Sequence, residues 1–151
     1  MDYAEKARAL FREGYNCSQA VVGAFSEELG MDPALAMRLV SGFGGGMGRM
    51  REVCGAVSGI LFLLNMKYGY NDPKDQQAKK DLYRKVQAAG AAFAEANGSL
   101  ICRELLRGQA GQGGDPEPRS EDYYKKRPCV ELVGCAAGIA ARMLAAPDRP
   151  E

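Results

Sequence analysis

Residues 71–98, NDPKDQQAKKDLYRKVQAAGAAFAEANG, decide the fold class of this chain. Ala78, Leu82, Val86, Ala89 and Phe93 recur at spacings of three and four, which lays an apolar stripe along one face of a long helix. Asn71-Asp72-Pro73 opens it and Asn97-Gly98 closes it. Outward from this helix the composition points the same way. Threonine is absent, and Val plus Ile total 11 against 22 Ala, so strand formers are scarce and the chain reads as all-α.

Capping chemistry marks the other helices. Asp2 with Glu5 opens a first helix that ends at Gly14, and Asn16 with Gln19 opens a second that stops at Gly30. Asp32-Pro33 starts a short third helix to about Val40. A segment too rich in glycine for regular structure follows, Ser41-Gly42-Phe43-Gly44-Gly45-Gly46-Met47-Gly48. A fourth helix then runs from about Met50 to Lys67. Ser99 caps a short helix through Leu106, residues 108–120 form a mobile Gly-, Pro- and Gln-rich loop, and a last helix runs from Pro128 to about Ala146. The expectation is one compact domain over residues 1–151, a bundle of about six to seven helices with the glycine-rich loop before the fourth.

Charge and residue absences exclude several functions. Lys plus Arg is 20 against 19 Asp plus Glu, a net of +1, so no basic footprint for nucleic acid is present. No histidine occurs, which removes Ser-His-Asp and Cys-His catalysis and the Cys2His2 zinc site. The longest apolar stretch, Val53 to Leu64, is interrupted by Gly55, Ser58 and Gly59 and falls short of the roughly 20 residues of a membrane span. The N-terminus has no secretory apolar core, so the chain is assigned to the reducing cytoplasm, where thiols are more often reactive, metal-binding or inert than bridged.

Five cysteines are therefore the candidates for chemistry. Cys17 follows the Asn16 cap, Cys102 is third after Ser99, and Cys129 follows Pro128; each is expected in the first turn of a helix. There, free backbone N–H groups stabilise a thiolate and lower its pKa from about 8.5. Lys125, Lys126 and Arg127 add positive charge before Cys129, as Arg49 and Arg51 do before Cys54. Gaps of 37, 48, 27 and 6 positions leave no C-x-x-C, so any joint chemistry must be assembled by tertiary folding. Cys135, between Gly134 and Ala136, reads as a small core residue. Gly44, Gly45 and Gly46 are candidate cofactor- or anion-binding positions: a loop that brings backbone near Cys54, with N–H groups facing a thiolate, ligand or cluster.

The runs Asn16-Cys17-Ser18-Gln19-Ala20-Val21, Gly42 through Arg49, and Cys54-Gly55-Ala56-Val57-Ser58-Gly59, followed by Gly98-Ser99 with Cys102 and then Cys129, resemble the C_GCAxxG_C_C family of redox-active proteins. The resemblance spans about residues 3 to 145 and implies four family cysteines, here Cys17, Cys54, Cys102 and Cys129, with Cys135 outside the pattern. Val53-Cys54-Gly55-Ala56 departs from the Gly-Cys-Ala order of the family name. Family genes tend to lie near transporter genes.

Three functions follow as expectations. The first is thiol–disulfide exchange by Cys17, Cys54, Cys102 and Cys129, with Cys17 and Cys54 as the first pair, an unidentified thiol or disulfide substrate, and no cofactor required. The second gathers the same four thiolates around zinc or an iron–sulfur cluster. The third is an accessory partner of a transporter with structural cysteines. Glycine-lined helix surfaces leave a homo-oligomer open.

Overall fold

The computed structural model describes residues 1–108 and 110–145, and it is all-α. Nine helices occur among the described residues: α1 (Tyr3–Arg12), α2 (Cys17–Phe25), α3 (Pro33–Leu39), α4 (Gly44–Met47), α5 (Gly55–Tyr68), α6 (Gln76–Asn97), α7 (Cys102–Leu105), α8 (Glu121–Lys126) and α9 (Cys129–Leu144), with one 3-10 turn at Ser41–Phe43. None of them is long and apolar enough to cross a membrane. The expected end of the last helix at about Ala146 lies outside the described residues.

The predicted caps form. Asp2 accepts from the Glu5 N–H at 3.0 Å and Asp32 from that of Leu35 at 3.2 Å. Asn16 completes a reciprocal box with Gln19 (3.0 and 3.2 Å). These bonds satisfy N–H groups that a helix start otherwise leaves open. The long helix starts later than its sequence suggests, at Gln76. Asp75 accepts from the Ala78 N–H at 3.0 Å and takes the cap, while Asp72 closes a turn on Lys74.

At the centre, α5 buries Ala56, Ile60, Leu63 and Leu64 completely. Helix α2 packs along it, and α1, α6 and α9 surround the pair, contributing Phe11, Phe93, Val133 and Ala137. The α2–α5 crossing is close because position 59 is glycine. A methyl there would stand 2.9 Å from the Val21 β-carbon. This approach draws the N-terminal ends of both helices, with Cys17 and Cys54, toward the same end of the bundle.

Three local expectations change. The fourth predicted helix starts at Gly55 rather than about Met50, because Arg49 and Arg51 hold left-handed backbone (φ 69° and 59°) that a helix cannot propagate. Residues 51–54 instead lie antiparallel to 100–103 through the Val53–Ile101 bridge, with Cys54 N–H donating to Leu100 (2.9 Å) and Cys102 N–H to Glu52 (2.5 Å). The glycine segment departs from regular helix, as expected, but is more ordered than a loop. It forms the 3-10 turn and the tight turn α4, in which Gly45 and Gly46 take φ of 68° and 64°. Ser99 does not cap a helix; its hydroxyl accepts from Ile101 N–H and donates to Glu104 (3.0 and 2.6 Å), so Cys102 is the first residue of α7.

Candidate thiol site

Cys17 opens α2 and Cys129 opens α9, two helices long enough for their exposed N–H groups to favour negative charge at the first turn. Each thiol is the strongest influence on the other. Cys129 is held below the ordinary thiol range chiefly by its interaction with Cys17; Arg127, Arg119 and Arg51 add to the effect against the cost of burial. The same interaction, together with burial and the neighbouring Cys129, Cys54 and Cys102 sulfurs, pushes Cys17 well above the ordinary range.

The other two predicted cysteines stand behind this pair. Cys54 caps α5, and burial pushes its thiol up to about 12 even though the N–H groups of Ala56 and Val57 face it. Cys102 is raised by burial and pulled back by Arg51, whose Nη1 donates to the Cys102 sulfur at 3.7 Å. All four thiols sense one another, so folding brings Cys17, Cys54, Cys102 and Cys129 into one neighbourhood, with all five cysteines free. The thiol with the strongest influence on Cys17 is Cys129, 112 positions away, with Cys54 acting on it more weakly. Cys135 faces elsewhere and accepts from Asn97 Nδ2 at 3.4 Å.

Glycines set the spacing of this neighbourhood. A methyl on Gly46 would stand 2.6 Å from the Cys102 β-carbon, and one on Gly55 would stand 3.2 Å from that of Cys17. The glycine turn thus approaches Cys102 through Gly46, and Phe43 at its start approaches Gly55, the neighbour of Cys54. Gly44 lies against the Asn16 side chain, while Gly45 lies beside the Arg51 guanidinium.

A cavity of about 260 Å³ opens at Cys17, lined by Gly44, Gly45 and Gly48, by Tyr123 and by four arginines. Arg51 is only 3% exposed. It donates through Nε to Gly111 at 2.9 Å and through Nη1 to Cys102, while its buried Nη2 has no hydrogen-bond partner. Glu117 Oε1 is shared by Arg49 (3.3 Å) and Arg127 (2.6 Å). Arg119 stacks on Phe11 and Tyr123 and donates to the Tyr15 carbonyl at 3.0 Å.

Sequence reasoning noted Arg49, Arg51 and Arg127 as nearby charge but missed Glu117, Arg119 and Tyr123. These sit on or just beyond the 108–120 loop, which crosses the site. Gly113 exchanges hydrogen bonds with Arg49, and Gln112 donates to the Met50 carbonyl. The loop's polar composition hides these anchors, because most of their partners are backbone groups more than 60 positions away.

Among the described residues no three Cys, Asp or Glu side chains are arranged to hold a metal ion.

The family model described as "Putative redox-active protein (C_GCAxxG_C_C)" matches residues 15–143, and the chain belongs to this family. No curated protein and no solved structure matches.

Proposed function

We propose that this redox-family protein is a dithiol–disulfide exchange protein whose working pair is Cys17 and Cys129. The observation that carries this reading is the placement of Cys17 and Cys129 at the first turns of α2 and α9, where each is the strongest influence on the other's thiol, beside a cavity that Cys17 lines.

With no histidine in the chain, a neighbouring thiolate is the base at hand. Cys129 takes the Cys17 proton as the Cys17 sulfur attacks a substrate disulfide RS–SR in the cavity. A Cys17–S–S–R bond forms, the S–S bond of the substrate breaks, and the leaving RS⁻ receives the proton from Cys129. Cys129, again a thiolate, attacks the Cys17 sulfur and expels the second RS⁻. Two electrons pass to the substrate, and the protein retains a Cys17–Cys129 disulfide. Cys17 keeps a high intrinsic nucleophilicity because its own pKa is high, and Cys129 supplies the deprotonation that this high pKa would otherwise withhold. A reducing compartment such as the cytoplasm suits a resting state in which all five thiols are free.

The test is oxidation of the reduced protein by excess small disulfide, followed by thiol counting and peptide mapping. A Cys17–Cys129 disulfide that dithiothreitol reverses is the expected result. Absence of any reversible disulfide overturns the reading. So does stoichiometric zinc or iron in anaerobically purified protein that is lost in Cys54→Ser.

A further inference from the structure

The cavity at Cys17 holds more positive charge than its own residues neutralise. Arg49, Arg51, Arg119 and Arg127 face it, and Glu117 is the one carboxylate among its lining residues. That carboxylate is already divided between Arg49 and Arg127 through a single oxygen. Arg119 is engaged by aromatic faces and backbone carbonyls, with no carboxylate partner among its described contacts. Arg51 is the decisive residue. A guanidinium that is 97% out of solvent normally has its donors satisfied, since a buried charged donor left without a partner keeps its full desolvation cost. Here Nη2 has no partner, and Nη1 of the same cavity-lining guanidinium lies 3.7 Å from where a Gly45 β-carbon would stand. Cys129 feels the Arg51 charge but is not a hydrogen-bond partner of Nη2.

Beside the guanidiniums, Gly44, Gly45 and Gly48 line the cavity with bare backbone. Gly45 and Gly48 hold left-handed backbone (φ 68° and 59°), where other residues are strained. At about 260 Å³ the cavity is smaller than the roughly 300–1,000 Å³ of drug-sized ligand sites. It suits a molecule of few atoms.

From these observations we infer that the cavity selects a small anionic disulfide, with a carboxylate seated on the Arg49–Arg51–Arg127 guanidiniums and its sulfur presented to Cys17. This inference rests on the Cys17–Cys129 exchange reading and adds the substrate class to it. Planar guanidiniums match a carboxylate in paired hydrogen bonds, and a water-poor site strengthens each of them.

The test compares second-order rates of thiol loss from the reduced protein with three disulfides of similar size: 3,3′-dithiodipropionate (anionic), 2-hydroxyethyl disulfide (neutral) and cystamine (cationic). The anionic compound is expected to react fastest and to exceed cystamine by about tenfold or more, the lower end of electrostatic rate effects in charged clefts. In Arg51→Gln the anionic-to-cationic ratio falls toward one, and Arg51→Lys restores part of it. If Arg51→Gln does not fold by circular dichroism, Arg49→Gln reads the same ratio from the cavity rim. A ratio within about twofold in the unaltered protein overturns the anion inference and leaves thiol exchange standing. A ratio retained in both glutamine variants overturns its assignment to this cavity. No reaction with any of the three removes the exchange reading itself.

Discussion

Gly55 and Cys17 approach so closely that a methyl on the Gly55 α-carbon would lie 3.2 Å from the Cys17 β-carbon and 2.9 Å from the Phe43 carbonyl oxygen. The residue after the second cysteine thus packs directly against the first cysteine. Gly55→Ala is expected to destabilise the fold by about 1–3 kcal/mol, the usual cost of overpacking. It should also change the alkylation rate of Cys17, because the Phe43 carbonyl is backbone and cannot swing aside. Urea titration and mass-resolved alkylation read the two effects; unchanged values in both would contradict this contact.

Removing the Cys17 thiol should raise the Cys129 pKa, and Cys17→Ala should do so more than Arg127→Gln, since Cys17 is the larger influence. Ultraviolet thiolate absorbance followed against pH measures this in the Cys54, Cys102 and Cys135 triple-serine background. A Cys129 that titrates at the ordinary thiol value with Cys17 intact would refute this influence.

Alkaline pH should weaken the fold through Cys54. Its thiol rises from 9.0 to about 12 on burial, so between those values the folded chain keeps a proton that the unfolded chain releases. Stability from this group is complete below about pH 9 and is lost as pH climbs toward 12, with a slope approaching about 1.4 kcal/mol per unit. Cys54→Ala is expected to flatten denaturant stability against pH above 9 relative to the unaltered chain. The raised Cys17 and Cys102 thiols leave part of the slope in place.

Asn16→Ala should cost about 1–2 kcal/mol, toward the upper end for an N-cap. Its Oδ1 accepts from Gln19 N–H and from the Ser18 hydroxyl, and its Nδ2 donates to Ser41, so both the α2 start and the glycine turn lose an anchor. Chemical denaturation measures the cost, and faster hydrogen exchange at residues 41–48 would locate the second effect.

What the sequence made legible was local. The caps at Asp2, Asn16 and Asp32 satisfy N–H groups three positions away, and apolar spacing announces α1, α6 and α9 from their own residues. The four cysteines that gather in one neighbourhood were also readable, three of them (Cys17, Cys102 and Cys129) through their place at helix starts. The Cys17–Cys129 partnership was not. It depends on how α2 and α9 pack, and nothing near either residue encodes the other. The same limit hid the start of α5. Residues 51–54 look like the first turn of a helix until the 100–103 segment, nearly fifty positions on, claims their backbone. Arg51 was read as charge for Cys54, its near neighbour in sequence, whereas its left-handed backbone turns it to Cys102.

The distance in sequence between Cys17 and Cys129 gives their chemistry a mechanical side. A bond between these sulfurs would close a loop of more than a hundred residues, and chain entropy values such a tether at about 5 kcal/mol of folding free energy. A whole small domain's net stability is about 5–15 kcal/mol. Each turnover would therefore tie and release most of the chain at its two ends. The protein's melting temperature would then report its oxidation state, and its resistance to unfolding would rise and fall with the reducing power of its surroundings.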